Sequence, residues 1–505
     1  MEEEKTGMLT LLPDDVLADA LGRLQPRSLA ACRCVCSAGR AVVDDRRLLR
    51  ADLLPHSLGG IFINFQSHRL SEFFSAAGSE GAPVSISGKH DYLPKGNRRS
   101  WGYVRDHCNG LLLVVDGYYD VHHVLNPATR WVALLPRRPT PPSPVEMDTY
   151  YQDEYLVYDP ATSPDYEVVS VTRFRCGPER EPGDYDTSED ALSSLAEMIK
   201  QPEWPPSVCI LPVFSSRTGQ WEERSFARQG EALRTIDDMM EHGGWPDDQQ
   251  HNAVYWQGVL YIHCQTDFVM RVSLSSDKYH VIKPPAGIEM ECYPIPQIYL
   301  GKSAEGMCCA SIKERCRVRV WSLNESGRDV AEWVLKHDVD LSKWLLKHEL
   351  EYTRPASRYY RPNVKGPWNF QDINDYYYRY KNNCHHKDDG VSMDEPTEQE
   401  VEECCSEASS VDDEKLTWSS DDEDRRCYDG YMDILGFHPY KEIIFLGESL
   451  ARGLAYHWNS SKVQVLGNIF PARYEEELPN ERSIIFSFPY TPCMLAMGQT
   501  AGDNS

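Results

Sequence analysis

Residues 111–136 read LLLVVDGYYDVHHVLNPATRWVALLP. Apolar runs flank Asp116-Gly117, a dipeptide that favours the two-residue turn of a β-hairpin. Asn126-Pro127 ends the second run, because proline has no N–H to give a strand ladder. Trp131 to Leu135 forms the third strand. The same turn chemistry returns one unit later. DPATSPDYEVVSV, from Asp159, repeats the Asn/Asp-Pro-Ala-Thr element, and SSRTGQWEERSF, from Ser215, is another strand–turn–strand.

Similar runs extend outward along the chain. GIFINF starts at Gly60, GLLLVV at Gly110, YLVYDP at Tyr155, SVCILPVF at Ser207, GVLYIHC at Gly258 and CCASI at Cys308. EIIFLGE follows at Glu442 after a long interruption. The repeat is roughly 50 residues, the length of a four-stranded propeller blade. The expected fold over 58–495 is therefore mainly antiparallel and all-β, a β-propeller of six or seven units. A pair of β-sandwiches is the alternative.

Two segments stand apart from this texture. From Asp388 to Asp424 there are sixteen Asp/Glu against a single basic residue, Lys415, a net −15 of the chain's −26. Such a run repels itself and has too little apolar surface to order. It is expected to be a disordered acidic insertion over 382–428, within the last β-unit. The first β part then spans 58–381, the last unit 429–495, and a flexible tail 496–505.

The other segment is 8–52. Val16, Leu17, Ala20, Leu21 and Leu24 fall at helical spacing behind Asp14 and Asp15, whose charges suit a helix N-terminus. Pro26 restarts the chain. Leu29, Cys32, Val35 and Cys36 give a second stripe, and Ser37 to Leu49 a third. Three short helices make a small core, and the apolar surface exceeds what that core needs.

Composition narrows the function. Hydrophobic residues make up 41% and aromatics 11%, enough for a sizeable core. A net charge of −26 opposes nonspecific nucleic-acid binding, which needs Lys and Arg to neutralise phosphates. RYYRP from Arg358 and YYYRYK from Tyr376 interleave aromatic and basic residues, but as loops or blade surface they are the simpler reading. The acidic start, MEEEK, is unlike a secretory signal, and no run of about 18 apolar residues marks a membrane span. The expected location is cytoplasm, nucleus or both, where the 16 Cys stay reduced.

The N-terminal residues carry a resemblance. Leu12-Pro13-Asp14-Asp15-Val16-Leu17, then Arg23-Leu24, Pro26, Ser28-Leu29, Arg33 and Val35-Cys36 resemble an F-box in order and spacing. CNGLLLV, NPATRWVALLP and the late LGFHPYKEIIFL are similar to the associated β-domain of plant F-box proteins. The resemblance implies a three-helix F-box that docks a Skp-type adaptor, and through it a cullin–RING ubiquitin ligase. It implies a β-domain that holds a protein substrate. The adaptor-facing set it implies is Leu12, Pro13, Val16, Leu17, Leu24, Pro26, Leu29, Val35 and Cys36. The sequence departs from the family at Gly39, where a Trp is usual. An aromatic anchor lost this way costs about 3–5 kcal/mol by large-to-small logic. A scaffold without efficient ligase coupling is the alternative.

No catalytic, cofactor or metal site is expected. Cys32, Cys34 and Cys36 alternate on a helix, which scatters the thiols, whereas structural zinc sites use Cys pairs on turns. NNCHHKDD, from Asn382, has ligand-type residues beside the acidic run. YLGKS, ending at Ser303, lacks the upstream glycine of a phosphate loop, and GESLA, from Gly447, is one glycine short of a nucleophile elbow. A receptor of the implied kind works by raising local concentration, so it needs no catalytic group. Ser419 and Ser420, ahead of DDED, suit acid-directed phosphorylation.

Overall fold

The computed structural model describes residues 13–24, 29, 32, 37–46, 48, 57–76, 86–93, 102–116, 121–138, 150–174, 203–235, 252–264, 268–286, 288, 297–325, 331–350, 352–353, 361–376, 428–472, 474 and 483–494. Two helices lie near the start, α1 (Asp14–Gly22) and α2 (Ser37–Asp45). Between them Leu29 and Cys32 are helical. The rest is mostly β.

Among the described residues the strands form six antiparallel four-stranded units and two short two-stranded ribbons, Glu203–Trp204 with Arg234–Thr235 and Tyr352–Thr353 with Arg361–Pro362. Unit two is typical: Gly102–Cys108, Leu111–Asp116, Val121–Asn126 and Trp131–Leu135 pair in chain order. Unit three is Tyr150–Val157, Glu167–Phe174, Val208–Ser215 and Gln220–Gln229. Unit four is Ala253–Trp256, Val259–His263, Val269–Ser273 and Lys278–Ile282. Unit five runs from Gln297–Ser303 to Glu332–Asp340, and unit six from Met432–Phe437 to Lys462–Asn468. Unit one is composite. Gly60–Phe65 pairs with Glu72–Ala76 on one side and with Ile484–Tyr490 on the other, and Trp368–Phe370 completes the outer edge.

The domain is therefore propeller-like and all-β, unlike a pair of sandwiched sheets. Seven sequence starts become six units because YLVYDP and SVCILPVF belong to one sheet. A long connection over 175–202 separates its second and third strands. Two local expectations also shift. Asp116 pairs with Val121, so four residues separate the strands where a two-residue turn was expected. The acidic segment falls in sequence not within unit six but ahead of its first strand, between Trp368–Phe370 and Ile484–Tyr490 of the composite unit one. The acidic run itself, with NNCHHKDD, Ser419 and Ser420, lies outside the described residues.

Alternation along each strand supplies the packing. Leu156 and Tyr158 face unit two, while Tyr155 and Val157 face unit four. Six buried clusters result, each lying between two neighbouring units. Phe62, Leu112 and Phe488 join units one and two; Tyr299, Val318 and Leu454 join units five and six. Units three and four are also joined edge to edge, because Ala227–Gln229 pairs in parallel with Lys278–His280. Asp-Pro and Asn-Pro turns tighten the strand ends. Asn126 Oδ1 accepts from the Ala128 N–H at 3.1 Å, and Asp159 Oδ1 accepts from the Ala161 N–H at 2.9 Å.

Polar clasps cross the same boundaries. Arg173, 2% exposed, donates to Asp153 Oδ2 (3.1 Å), the Tyr155 hydroxyl (2.6 Å) and the His263 carbonyl (2.7 Å). It ties unit three to unit four. Glu72 is fully buried and accepts from the Asn374 N–H (2.9 Å) and Asn374 Nδ2 (2.7 Å), pinning the turn that follows Trp368–Phe370. Asp433 lacks such help. Its Oδ2 has no hydrogen-bond partner among the described residues, and burial pushes its carboxyl up to about 7.

Two stability predictions follow from these groups. Arg173→Met should cost about 3–5 kcal/mol in urea unfolding, because it takes a buried donor from the Tyr155 hydroxyl and the His263 carbonyl and leaves Asp153 with the longer Arg105 pair. Asp433 has a raised value, so its contribution is complete below the ordinary carboxylate range near pH 3.8 and is lost as pH rises through about 7. Asp433→Asn should therefore raise the melting temperature at pH 8 more than at pH 5, relative to the native chain.

Candidate functional site

The helical patch begins at Pro13, whose carbonyl accepts the first α1 hydrogen bonds from Val16 and Leu17, both at 3.0 Å. Asp14 and Asp15 occupy the first turn, where the helix dipole favours negative charge. At about 100° per residue, Val16, Ala20, Leu24, Leu17 and Leu21 share one broad apolar arc. The chain uses only half of it. Leu17 and Leu21 are buried, at 3% and 6% exposure, and point at α2 and the β domain. Val16 is 51% exposed and Leu24 36%, with Pro13 and Ala20 also on the outside.

The implied adaptor-facing set therefore divides. Pro13, Val16 and Leu24 lie on the surface. Leu17 and Leu29 are buried in one cluster with Val42, Val43, Leu111 and Tyr166, so their packing is internal. Leu12, Pro26, Val35 and Cys36 lie outside the described residues. Gly39 is buried within α2. Arg46 pairs with Asp15, and Arg23 with Asp19 at 2.6 Å; both are exposed and contribute little.

A second site sits on the axis. The C-terminal ends of Gly102–Cys108, Gln297–Ser303, Met432–Phe437 and Ile484–Tyr490 meet around a cavity of about 50 Å³. Asn109-Gly110 makes the tight turn there, with φ of 45° and 95°, and Cys108 pairs with Leu111 across it. A Cβ at Gly110 would overlap Cys493, so only glycine fits. The turn aims Asn109 at the axis, where its Oδ1 accepts from Lys302 Nζ at 3.1 Å. The helices join this same end, because Gly60, the first strand residue after them, pairs with Tyr490. The connections over 139–149, 289–296 and 377–427 lead instead to the starts of inner strands, at the opposite end.

Burial governs the titratable groups at the axis. Burial pushes the Cys108 thiol up to about 12, and its Sγ donates to the Tyr158 carbonyl at 3.3 Å, an environment that disfavours the thiolate. Burial, with Lys302 nearby, drives His107 down to about 3 and keeps it neutral. Burial holds Asp106 well above the usual carboxylate range, although it accepts the Leu156 N–H at 2.7 Å. Among the described residues no group of three His, Cys, Asp or Glu is placed to hold a metal.

The other sequence candidates are placed by the strands. Ser303 ends a β-strand and contacts the Cys308 thiol, not a helix N-terminus. Gly447 lies inside Ile443–Glu448, paired with Gly453, so it forms no elbow. Sequence reasoning missed the axial role of Lys302. The available signal was a cation near the end of an inner strand, beside the small residue Gly301.

The division of the arc is testable. Leu17→Ala should lower stability by about 2–5 kcal/mol, as cavity-forming core changes do. Val16→Ala should stay within about 0.5 kcal/mol, as exposed changes do. Urea unfolding of the full chain distinguishes them.

Residues 9–51 match the F-box domain. No curated protein matches the chain. Among solved structures, the chain is similar to YCF48 bound to D1 peptide at 5% identity and a TM-score of 0.30, over 83% of this chain and 84% of that one.

Proposed function

We propose that the chain is a non-catalytic substrate receptor of an SCF-type ubiquitin ligase. The carrying observation is the F-box match at 9–51 together with the outward half of the α1 arc, Pro13, Val16, Ala20 and Leu24. An apolar helix face that its own fold leaves open is a surface for a partner groove. In this reading the face docks a Skp-type adaptor, which recruits a cullin–RING ligase. Leu12, Pro26, Val35 and Cys36 extend the docking set, and Leu17 and Leu29 hold its shape from beneath.

The six units act as a closed propeller that holds a target protein, as in the plant F-box proteins with an associated β-domain. Loops on a rigid scaffold are where recognition residues concentrate, and the β domain is such a scaffold. The protein works in cytoplasm, nucleus or both. Transfer of ubiquitin then depends on proximity, not on a residue of this chain.

Val16→Asp with Leu24→Asp should abolish capture by a purified Skp-type adaptor while leaving the urea midpoint near that of the native chain. Leu12→Ala with Pro13→Ala should weaken capture as well. Failure of the native chain to capture the adaptor would sink this reading.

The buried Gly39 favours a second reading, a scaffold with weak ligase coupling. The family's aromatic anchor is absent there, and Gly39→Trp should then gain adaptor binding. Equal binding by the native chain and that variant removes the support for it.

A further inference from the structure

The axial cavity contains a cation, Lys302, whose printed hydrogen-bond partner is an uncharged amide. Lys302 carries three N–H donors and no acceptor. One donor goes to Asn109 Oδ1 at 3.1 Å. The geometry of Asn109 is fixed from behind, because its Nδ2 donates to the Tyr158 carbonyl at 2.6 Å. Its Oδ1 must therefore face the ammonium. Asp159 acts on Lys302 only as a more distant charge, not as a direct ion-pair partner.

The lining sharpens the point. Asp106 is its one acidic residue, and that carboxyl is turned into the strand boundary towards Leu156. His107 stays neutral. Tyr255 and Thr491 add hydroxyls at the cavity wall. Burial lowers the pKa of Lys302, and the Cys108 thiol and Asp159 only partly offset it. The volume, about 50 Å³, fits a single functional group and is far below the roughly 300–1,000 Å³ of small-molecule pockets.

We propose that this cavity is a carboxylate-binding site, in which Lys302, positioned by Asn109, takes an acidic side chain or free C-terminus of a bound peptide. A carboxylate matches the open donors, the charge and the volume together. A charge-assisted hydrogen bond in such a half-buried place is stronger than one in water. The inference rests on the reading of the β domain as the partner-holding half, and not on adaptor docking.

Fluorescence anisotropy with the full chain tests it, using three short glycine-rich peptides. One carries Glu and an amidated end, one carries Gln and an amidated end, and one carries Gln and a free C-terminus. At least one acidic peptide should bind about tenfold tighter than the neutral one. The arm that does so names the source of the carboxylate. Lys302→Gln should erase the preference, and Lys302→Arg should keep it. Equal affinity for all three peptides, or a preference that survives in Lys302→Gln, overturns the proposal.

If circular dichroism shows Lys302→Gln unfolded, the native chain decides the matter. Acylation of Lys302 by an amine-reactive ester, mapped by mass spectrometry, should be slower in sodium acetate than in sodium chloride of equal strength. Equal rates overturn the site. Adaptor capture by Lys302→Gln should match that of the native chain. An intact acid preference without adaptor capture would sink the ligase reading and leave the carboxylate site standing.

Discussion

The ladder between Gly60–Phe65 and Ile484–Tyr490 is the constraint on which the rest depends. It joins the first described strand to the last, across almost the whole sequence. Without it unit one lacks its inner strand, and two of the six buried clusters lose a wall. The segment after the ladder is held just as firmly. The Tyr490 hydroxyl donates to the Gly110 carbonyl at 3.2 Å, and Asn126 Nδ2 donates to the Cys493 carbonyl at 3.0 Å. Closure thus ties unit one to unit two and also fixes the turn that points Asn109 at the axis.

Polar groups in the β domain are mostly used to lock neighbours together. Arg173, Glu72 and Asn252 each bond backbone of another segment from a buried position. A buried polar group is tolerated when its partners are complete, and it then specifies one arrangement. Asp433 and Lys302 break that pattern in opposite ways. The carboxyl of Asp433 can give up its charge by taking a proton near neutral pH. Lys302 keeps an incomplete set of partners at a cavity open to the axis.

Local chemistry was legible in the sequence. The Asn126 and Asp159 turns act as their residue types require, and the repeat near 50 residues reflects real units. Non-local pairing was not. GYVRDHC, the first strand of unit two, carries three consecutive polar residues, Arg105, Asp106 and His107, and buries Asp106 beside Val104 and Cys108, so it does not read as a buried run. The parallel join of Ala227–Gln229 with Lys278–His280 leaves no local signature. In α1 the apolar period was clear, but spacing alone does not say which half of a wide arc the fold will cover. Val16 and Leu17 are adjacent in sequence and opposite in exposure.

The place of the long connection after Trp368–Phe370 has a consequence for covalent continuity. Residues 428–494 contain all of unit six and the inner strand of unit one. Everything before 377 contains the helices, units two to five and the remaining strands of unit one. A single cut between 377 and 427 would separate two pieces that still share one strand ladder and four buried clusters. The nicked chain should behave as a complemented pair, running as one particle in native buffer and as two fragments only under denaturing conditions.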